Sequence, residues 1–151
     1  MNVADRFVEI LEEEGVENVF GVPGEQITPI YKSLSASGIN HILTRHEQAA
    51  AHAAGGYYRA SGKIGVCIAT ASPGALNFTI ALATAFKDNV PILVLTGDNE
   101  CEYRNTDHFQ TTPQFEMFRH ITRASYNPLN GTEALYAIRA AIFELKTITK
   151  G

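Results

Sequence analysis

The sequence predicts an α/β fold, a doubly wound parallel sheet of about five or six strands with helices on both faces. Short apolar segments alternate with helical segments along its 151 residues, which is the pattern of strands joined by crossover helices. Residues 64–69 are apolar throughout, as in a parallel strand that is buried on both faces. No internal repeat, linker or low-complexity tract interrupts the pattern, so residues 1–151 are predicted to form a single domain.

The first half of the chain is predicted to begin with an amphipathic helix. Val3, Phe7 and Ile10 recur at helical spacing, and Gly15 follows as a residue type that commonly ends helices. The other elements predicted in this half are strands at 16–20 and 39–43, a helix through 29–34, and a helix from 47 to about 60.

The second half is predicted to continue the alternation. After strand 64–69, Ser72-Pro73-Gly74 opens an alanine-rich helix that runs to Phe86, since proline suits the first turn of a helix. Residues 97–114 are polar and rich in turn formers, which is typical of a functional loop. A last amphipathic helix contains Ile138, with Thr132 predicted as its capping residue. Further strands are predicted at 91–95 and, as a fifth strand, at 121–126.

Composition excludes several classes of partner. The formal net charge is -4 and the basic residues are scattered, which argues against nucleic acid as a partner. Cys67 and Cys101 are far apart and form no CxxC pair, so neither a disulfide framework nor a zinc site is indicated. No signal peptide and no apolar run of membrane-spanning length are present. We therefore expect a soluble, cytoplasmic protein without a membrane partner.

Glu47 is the first candidate for chemistry. It lies in Arg45-His46-Glu47-Gln48, where a predicted strand gives way to a helix of alanine and glycine that offers a carboxylate little polar company. An acid withdrawn from water in this way is suited to proton transfer. The alternative is an exposed glutamate that interacts favourably with the helix dipole. The four residues Arg45-His46-Glu47-Gln48 alone are compatible with both interpretations.

The small residues of the helix at 48–60 also have two explanations. The helix could pack tightly against its own sheet, or it could pack closely against another helix across a subunit interface. We favour the interface, because Gly55-Gly56 lowers helix stability and should be offset by contact. A homodimer or higher oligomer formed through this helix is the resulting prediction.

Candidate site residues follow several of the predicted strands. In open parallel sheets, ligands bind at the carboxyl ends of the strands. The loops expected there are Val22-Pro23-Gly24, Arg45-His46-Glu47, Ala71-Ser72-Pro73-Gly74, and the polar stretch that reaches Phe109-Gln110.

Taken together, these motifs resemble the N-terminal, pyrimidine-binding domain of thiamine diphosphate enzymes, and most closely that of the acetolactate synthases. The resemblance covers nearly the whole chain and rests on several ordered motifs at the right spacing. The segments that carry it are Val19-Phe20-Gly21-Val22-Pro23-Gly24 with Pro29-Ile30-Tyr31, Arg45-His46-Glu47-Gln48 with the alanines that follow, residues 65–77, and Asn105-Thr106-Asp107 with Phe109-Gln110.

The resemblance implies a role for each candidate residue. In the family, the glutamate at the place of Glu47 hydrogen-bonds N1′ of the cofactor's aminopyrimidine and favours the imino tautomer, which removes the C2 proton. Glu47 and Gln110 would be the catalytic residues, and Phe109 would face the substrate beside Gln110. The residues that would line the cofactor pocket with Glu47 are Pro23, Gly24, Thr70, Pro73 and Asn77.

The resemblance also implies what this sequence lacks. The Gly-Asp-Gly motif that holds the diphosphate and its Mg²⁺ in a separate domain is absent, so no metal ligand is expected here. FAD would belong to the full enzyme and not to this chain. We therefore expect activity on a small 2-keto acid, by decarboxylation and carboligation, only with a diphosphate-binding domain or subunit. The chain would be an excised domain or one subunit of a split enzyme like sulfopyruvate decarboxylase.

The sequence departs from the family pattern at a few positions. Glu25 stands where a second glycine is usual, Ala71-Ser72 replace Ser-Gly, Leu76 replaces a common threonine, and His108 replaces a small residue. These changes bear on substrate choice more than on cofactor binding. They leave open an alternative from another class, a non-catalytic dimerising or regulatory module that keeps the fold.

Overall fold

The computed structural model describes residues 2–103 and 106–148, with no side chain described at 148. Asn105 of the predicted active-site loop lies outside these ranges. Within them, one parallel sheet has the strand order β2-β1-β3-β4. At its centre, Phe20 lies opposite Ile42 on one side and Cys67 on the other. The strands are β1 (Asn18–Gly21), β2 (Asn40–Leu43), β3 (Gly65–Ala69) and β4 (Ile92–Thr96).

Helices cover both faces of this sheet, which confirms the doubly wound α/β class. Alternate residues of β3 enter different cores: Val66 and Ile68 pack on one face, and Cys67 and Ala69 pack on the other. All five residues of β3 are buried, as expected for the inner strand of a parallel sheet. The helices are α1 (Val3–Glu13), α2 (Thr28–Leu34), α3 (Glu47–Ser61), α4 (Pro73–Leu76), α5 (Thr79–Lys87), α6 (Gln114–Phe118) and α7 (Gly131–Ile148).

The prediction of five or six strands is wrong for the described part of the chain, where the sheet has four. The predicted fifth strand, Ile121–Tyr126, is irregular. It lines a cavity of about 610 Å³ together with β4, and within the described residues no backbone hydrogen bond pairs the two segments. Its Ile121 packs against the core on the α3 and α5 face of the sheet, which explains the apolar residue at this position without a strand.

Two helix predictions also need correction. The helix predicted from Pro73 to Phe86 is interrupted between α4 and α5, because the N–H groups of Asn77 and Phe78 bond to carbonyls three residues back instead of four. Thr132 does not cap α7. The Asn130 side chain accepts from the Glu133 N–H at 2.9 Å, and Glu133 accepts in return from the Leu129 N–H at 2.8 Å.

The small residues of α3 serve the packing of the chain on itself. Ala50, Ala51 and Ala54 are fully buried against the sheet and α5. The approach is so close that a Cβ added to Gly65 of β3 would overlap the Ala54 carbonyl. Tight packing on the sheet, the explanation that we did not favour, thus accounts for this face. The interface prediction is thereby left with the opposite face of the helix, which includes Gly56.

We expect Gly65→Ala to lower the free energy of unfolding by about 1–3 kcal/mol, because the helix and strand backbones would have to separate. Gly56→Ala is the matched control. Nothing lies within 4 Å of a Cβ added there, so higher helix propensity should raise stability by up to about 1 kcal/mol. Urea unfolding measures both changes. An unchanged midpoint for Gly65→Ala would contradict the close contact between α3 and β3.

Candidate functional site

Glu47 lies where the sequence predicted, at the first residue of α3 just beyond β2. The N-cap is His46, whose Nδ1 accepts from the Gln48 N–H at 3.1 Å. Glu47 is half-buried, and its Oε2 accepts from Nδ2 of Asn77 at 2.8 Å. The expectation of little polar company was therefore wrong, because the turn between α4 and α5 brings an amide to the carboxylate.

Thr70, directly after β3, stands at the centre of the site. A Cβ added to Gly74 would lie 2.9 Å from Thr70 Cγ2 and 3.3 Å from Glu47 Oε1. A Cβ added to Gly24 would overlap the Thr70 side chain. Glycine is thus required for the loops after β1 and β3 to meet at Thr70. These contacts bring Gly24, Thr70, Glu47 and Asn77 together.

Gln110 joins this group through Gln26, a residue that the sequence analysis did not single out. Gln26 lies in a 3₁₀ turn, Glu25–Ile27, directly after Gly24. Its Oε1 accepts from the Thr70 hydroxyl, and its Nε2 donates to Oε1 of Gln110 at 3.2 Å. Gln110 has a φ of +57°, unusual for a residue with a side chain. Gln26 could have been identified from the sequence, because it lies in a polar segment directly after a predicted strand.

The other predicted site residues are not part of the hydrogen-bonded group around Thr70 and Glu47. Phe109 is 71% exposed, and its carbonyl accepts from Nδ2 of Asn99 at 2.9 Å. Pro73 is exposed at the start of α4. Pro23 and Tyr31 are among the residues lining a smaller cavity of about 320 Å³. Within the described ranges, no hydrogen bond joins Phe109, Pro23 or Pro73 to Glu47.

A buried amide that the sequence analysis missed ties two site loops together. Gln114, only 6% exposed, accepts from the Ser72 N–H at 2.9 Å and donates from Nε2 to the Gly97 carbonyl at 2.8 Å. The Ser72 hydroxyl also bonds to the Thr112 hydroxyl at 2.9 Å. The sequence shows Gln114 between Thr112 and the apolar Phe115, but it does not indicate that the Gln114 side chain is buried.

The departures from the family pattern have local structural consequences. Ser72 has a φ of +38°, a region that favours glycine, the residue that the resemblance leads us to expect there. His108 stacks on Tyr103 with ring centroids 4.1 Å apart. Glu25 is exposed at the start of its 3₁₀ turn.

Neither a membrane-spanning helix nor a metal-binding cluster occurs in the described ranges. Over residues 2–103 and 106–148, no helix is both long and apolar enough to cross a bilayer. Over the same part of the chain, no three His, Cys, Asp or Glu side chains are grouped as a metal site.

Comparison with known proteins identifies the class. Residues 1–117 match the family model described as thiamine pyrophosphate enzyme, N-terminal TPP binding domain. This match covers more than half of the chain, which therefore belongs to the thiamine pyrophosphate (thiamine diphosphate) enzyme family. The chain corresponds to the N-terminal cofactor-binding domain of these enzymes.

Within this family the chain is similar to acetolactate synthase large subunits. It is 43% identical over 147 residues to a probable acetolactate synthase large subunit of Methanocaldococcus jannaschii, covering 97% of this chain and 25% of that protein. It is 42% identical over 145 residues to the isozyme 2 large subunit of Escherichia coli, covering 96% and 26%. The chloroplastic enzyme of Arabidopsis thaliana is 43% identical over 141 residues, covering 93% and 21%. The chain thus spans about a quarter of these relatives.

We expect Gln114→Leu to lower the free energy of unfolding by roughly 2–5 kcal/mol, because it leaves the Ser72 N–H and the Gly97 carbonyl buried without a partner. Glu116→Leu, on the exposed side of the same helix, is the matched control and should change stability by less than about 0.5 kcal/mol. Chemical denaturation compares the two. Equal effects would show that the Gln114 bonds do not hold the loops.

Proposed function

We propose that this chain is the pyrimidine-binding portion of a thiamine diphosphate-dependent enzyme that decarboxylates a small 2-keto acid and joins the product to a second one, as acetolactate synthases do. The observation that carries the proposal is Glu47, a half-buried carboxylate at a strand end that is oriented by Asn77 and faces a glycine. In an acetolactate synthase this reaction would serve branched-chain amino acid biosynthesis.

The residues around Glu47 fit the aminopyrimidine of the cofactor. Asn77 engages Oε2 only, and no hydrogen bond within the described ranges reaches Oε1, so a carboxylate oxygen is available to a ring nitrogen. Gly74 adjoins Oε1 without a side chain, which lets a flat ring approach closely. The residues proposed to hold the ring are Pro23, Gly24, Glu47, Thr70, Pro73 and Asn77. When bound, thiamine diphosphate supplies the electron sink that stabilises the carbanion left by loss of carbon dioxide.

Glu47 and Gln110 are proposed to act directly in this chemistry. Glu47 would share a proton with the pyrimidine at its available oxygen, while the Asn77 amide keeps the carboxylate in one orientation. Gln110 would hydrogen-bond the substrate. Phe109, which is 71% exposed, would form an apolar wall against it. Gln110 keeps a backbone conformation that costs energy, which fits a residue positioned for function.

The proposed activity requires parts that lie outside this sequence. The relatives are about four times longer, and a diphosphate-binding domain or subunit would hold the cofactor's diphosphate and Mg²⁺. FAD, where the full enzyme uses it, would also bind outside this chain. We propose that the chain alone is inactive, as an excised domain or as one subunit of a split enzyme.

The exposed face of α3 is proposed as a subunit contact. Ala49, Ala53, Gly56 and Ala60 are spaced so that they share one side of the helix. Ala53 is partly buried against the core of its own chain and the other three are exposed, and no described residue lies within 4 Å of a Cβ added to Gly56. Small residues along one face allow two helices to approach closely. A homodimer or higher oligomer would use this face.

Cytoplasmic localisation is also part of the proposal. Cys67 and Cys101 are both free thiols, with Cys67 buried and Cys101 exposed. Persistent free thiols are usual in reducing compartments.

A non-catalytic dimerising or regulatory module is the second candidate. Its support is Ser72, Leu76 and His108, which stand at departures from the family pattern around the site. Such a module would dimerise through α3 without recruiting a diphosphate-binding partner. Cofactor-dependent turnover in the assembled protein decides between the two.

We expect Glu47→Gln to reduce turnover of the assembled enzyme by at least about 100-fold, because the amide keeps the size and the Asn77 bond but cannot exchange a proton. The measurement is carbon dioxide release from pyruvate with thiamine diphosphate and Mg²⁺. Glu116→Gln, an exposed change on α6, should retain full activity. Undiminished turnover in Glu47→Gln would rule out the proposed function.

We expect Gly56→Lys to dissociate the oligomer without unfolding the chain, because a long charged side chain would enter the α3 contact while its Cβ meets no described residue within 4 Å. Sedimentation velocity gives the oligomeric state. Ala36→Lys, at another exposed position outside α3, should leave assembly intact. If Gly56→Lys assembles like the wild type, the subunits meet elsewhere.

A further inference from the structure

Three polar side chains form a directed hydrogen-bond chain beside the candidate site. The Thr70 hydroxyl donates to Oε1 of Gln26, and Nε2 of Gln26 donates to Oε1 of Gln110 at 3.2 Å. The amides of Gln26 and Gln110 are therefore oriented alike, each with its oxygen towards the preceding side chain of the series and its nitrogen away from it. Each has its oxygen engaged by the preceding donor, and Gln110, the last member, is left with its Nε2 hydrogens to offer.

The backbone holds Gln26 where it can make this link. Gly24 sits against Thr70 so closely that a Cβ would overlap it, and Ile27, on the other side of Gln26, is only 4% exposed. A Cβ added to Gly97, after β4, would lie 2.8 Å from the Gln26 Cβ. Gln26 is thus placed against the residues that follow β3 and β4, and its two hydrogen bonds, to Thr70 and to Gln110, set the direction of its amide.

We propose that Gln26 is the positioning residue for Gln110 and that it fixes the polarity of that amide, so that Gln110 meets its substrate as a hydrogen-bond donor. The inference rests on the proposed function and deepens it. A donor at this point selects an acceptor group, namely the ketone or carboxylate oxygen of a 2-keto acid. An alcohol or amine donor on the substrate would find no partner there.

The test is a mutant cycle in the assembled holoenzyme. Gln26→Leu removes both bonds at nearly constant size. Gln26→Glu still accepts from Thr70 but cannot donate, so it should turn the Gln110 amide and present its oxygen to the substrate. Both changes are made in the wild type and in a Gln110→Leu background. Because a residue that acts through Gln110 has nothing to position once Gln110 is gone, its effect should vanish there.

We expect Gln26→Leu to raise the KM for pyruvate by about 3- to 10-fold with little change in kcat, and Gln26→Glu to raise it further. In the Gln110→Leu background both changes should alter KM by less than about 2-fold. Equal increases in the two backgrounds would overturn the proposal. Such a result would mean that Gln26 acts on the cofactor pocket directly, or that the new charge of Gln26→Glu simply repels the anionic substrate.

Equilibrium binding provides a readout that does not depend on turnover. Titration calorimetry with oxamate, an unreactive carboxylate of pyruvate's shape, should show the same loss of affinity and the same dependence on Gln110. Binding unaffected by Gln26→Leu would also overturn the proposal. Glu47→Gln in the same preparation distinguishes a failure of the proposed function from a failure of the positioning role of Gln26. If it abolishes turnover while the Gln26 effects are independent of Gln110, only the positioning role is wrong; if turnover survives, the proposed function is wrong as well.

Discussion

The close approach of two backbone segments to Thr70 is the constraint on which the site depends. Thr70 follows β3, an inner strand whose residues pack into the cores on both faces of the sheet, so the strand holds it in place. Gly24 and Gly74 carry no side chain and can therefore contact it directly. Glu47 lies against one of these glycines and Gln26 follows the other. A rigid strand thus determines where the loop residues stand, which is the usual way in which a scaffold positions function.

Side-chain amides supply most of the polar order around this contact. Asn77 orients the candidate acid, Gln26 connects Thr70 to Gln110, and Gln114 joins the loops that contain Ser72 and Gly97. An amide both donates and accepts, so a single side chain can satisfy groups on two loops at once without bringing a charge into the interior. The buried Gln114 is satisfied in both directions, which is the condition under which a buried polar group stabilises a fold.

The two faces of α3 have different roles: the inner face stabilises the fold, and the outer face is the proposed subunit contact. The inner alanines are explained by the contact with β3, where even the strand must use glycine at residue 65. The outer face also consists of small residues; Ala53 still contacts the core of its own chain, whereas a Cβ added to Gly56 would meet no described residue within 4 Å. A helix that begins at the candidate acid and offers such a face would place any subunit contact next to the chemistry. This continuity links the proposed oligomer to the proposed site.

The sequence by itself determined the α/β class, the parallel strands up to residue 96, and the family, because hydrophobic periodicity and ordered motifs are local properties of the chain. It could not determine whether Ile121–Tyr126 forms a strand, since a segment becomes a strand only where the edge of another strand is placed to pair with it. Nor could it reveal the Asn77 partner of Glu47, or the roles of Gln26 and Gln114. Those contacts join residues between 17 and 84 positions apart, and only tertiary packing brings them within hydrogen-bonding distance.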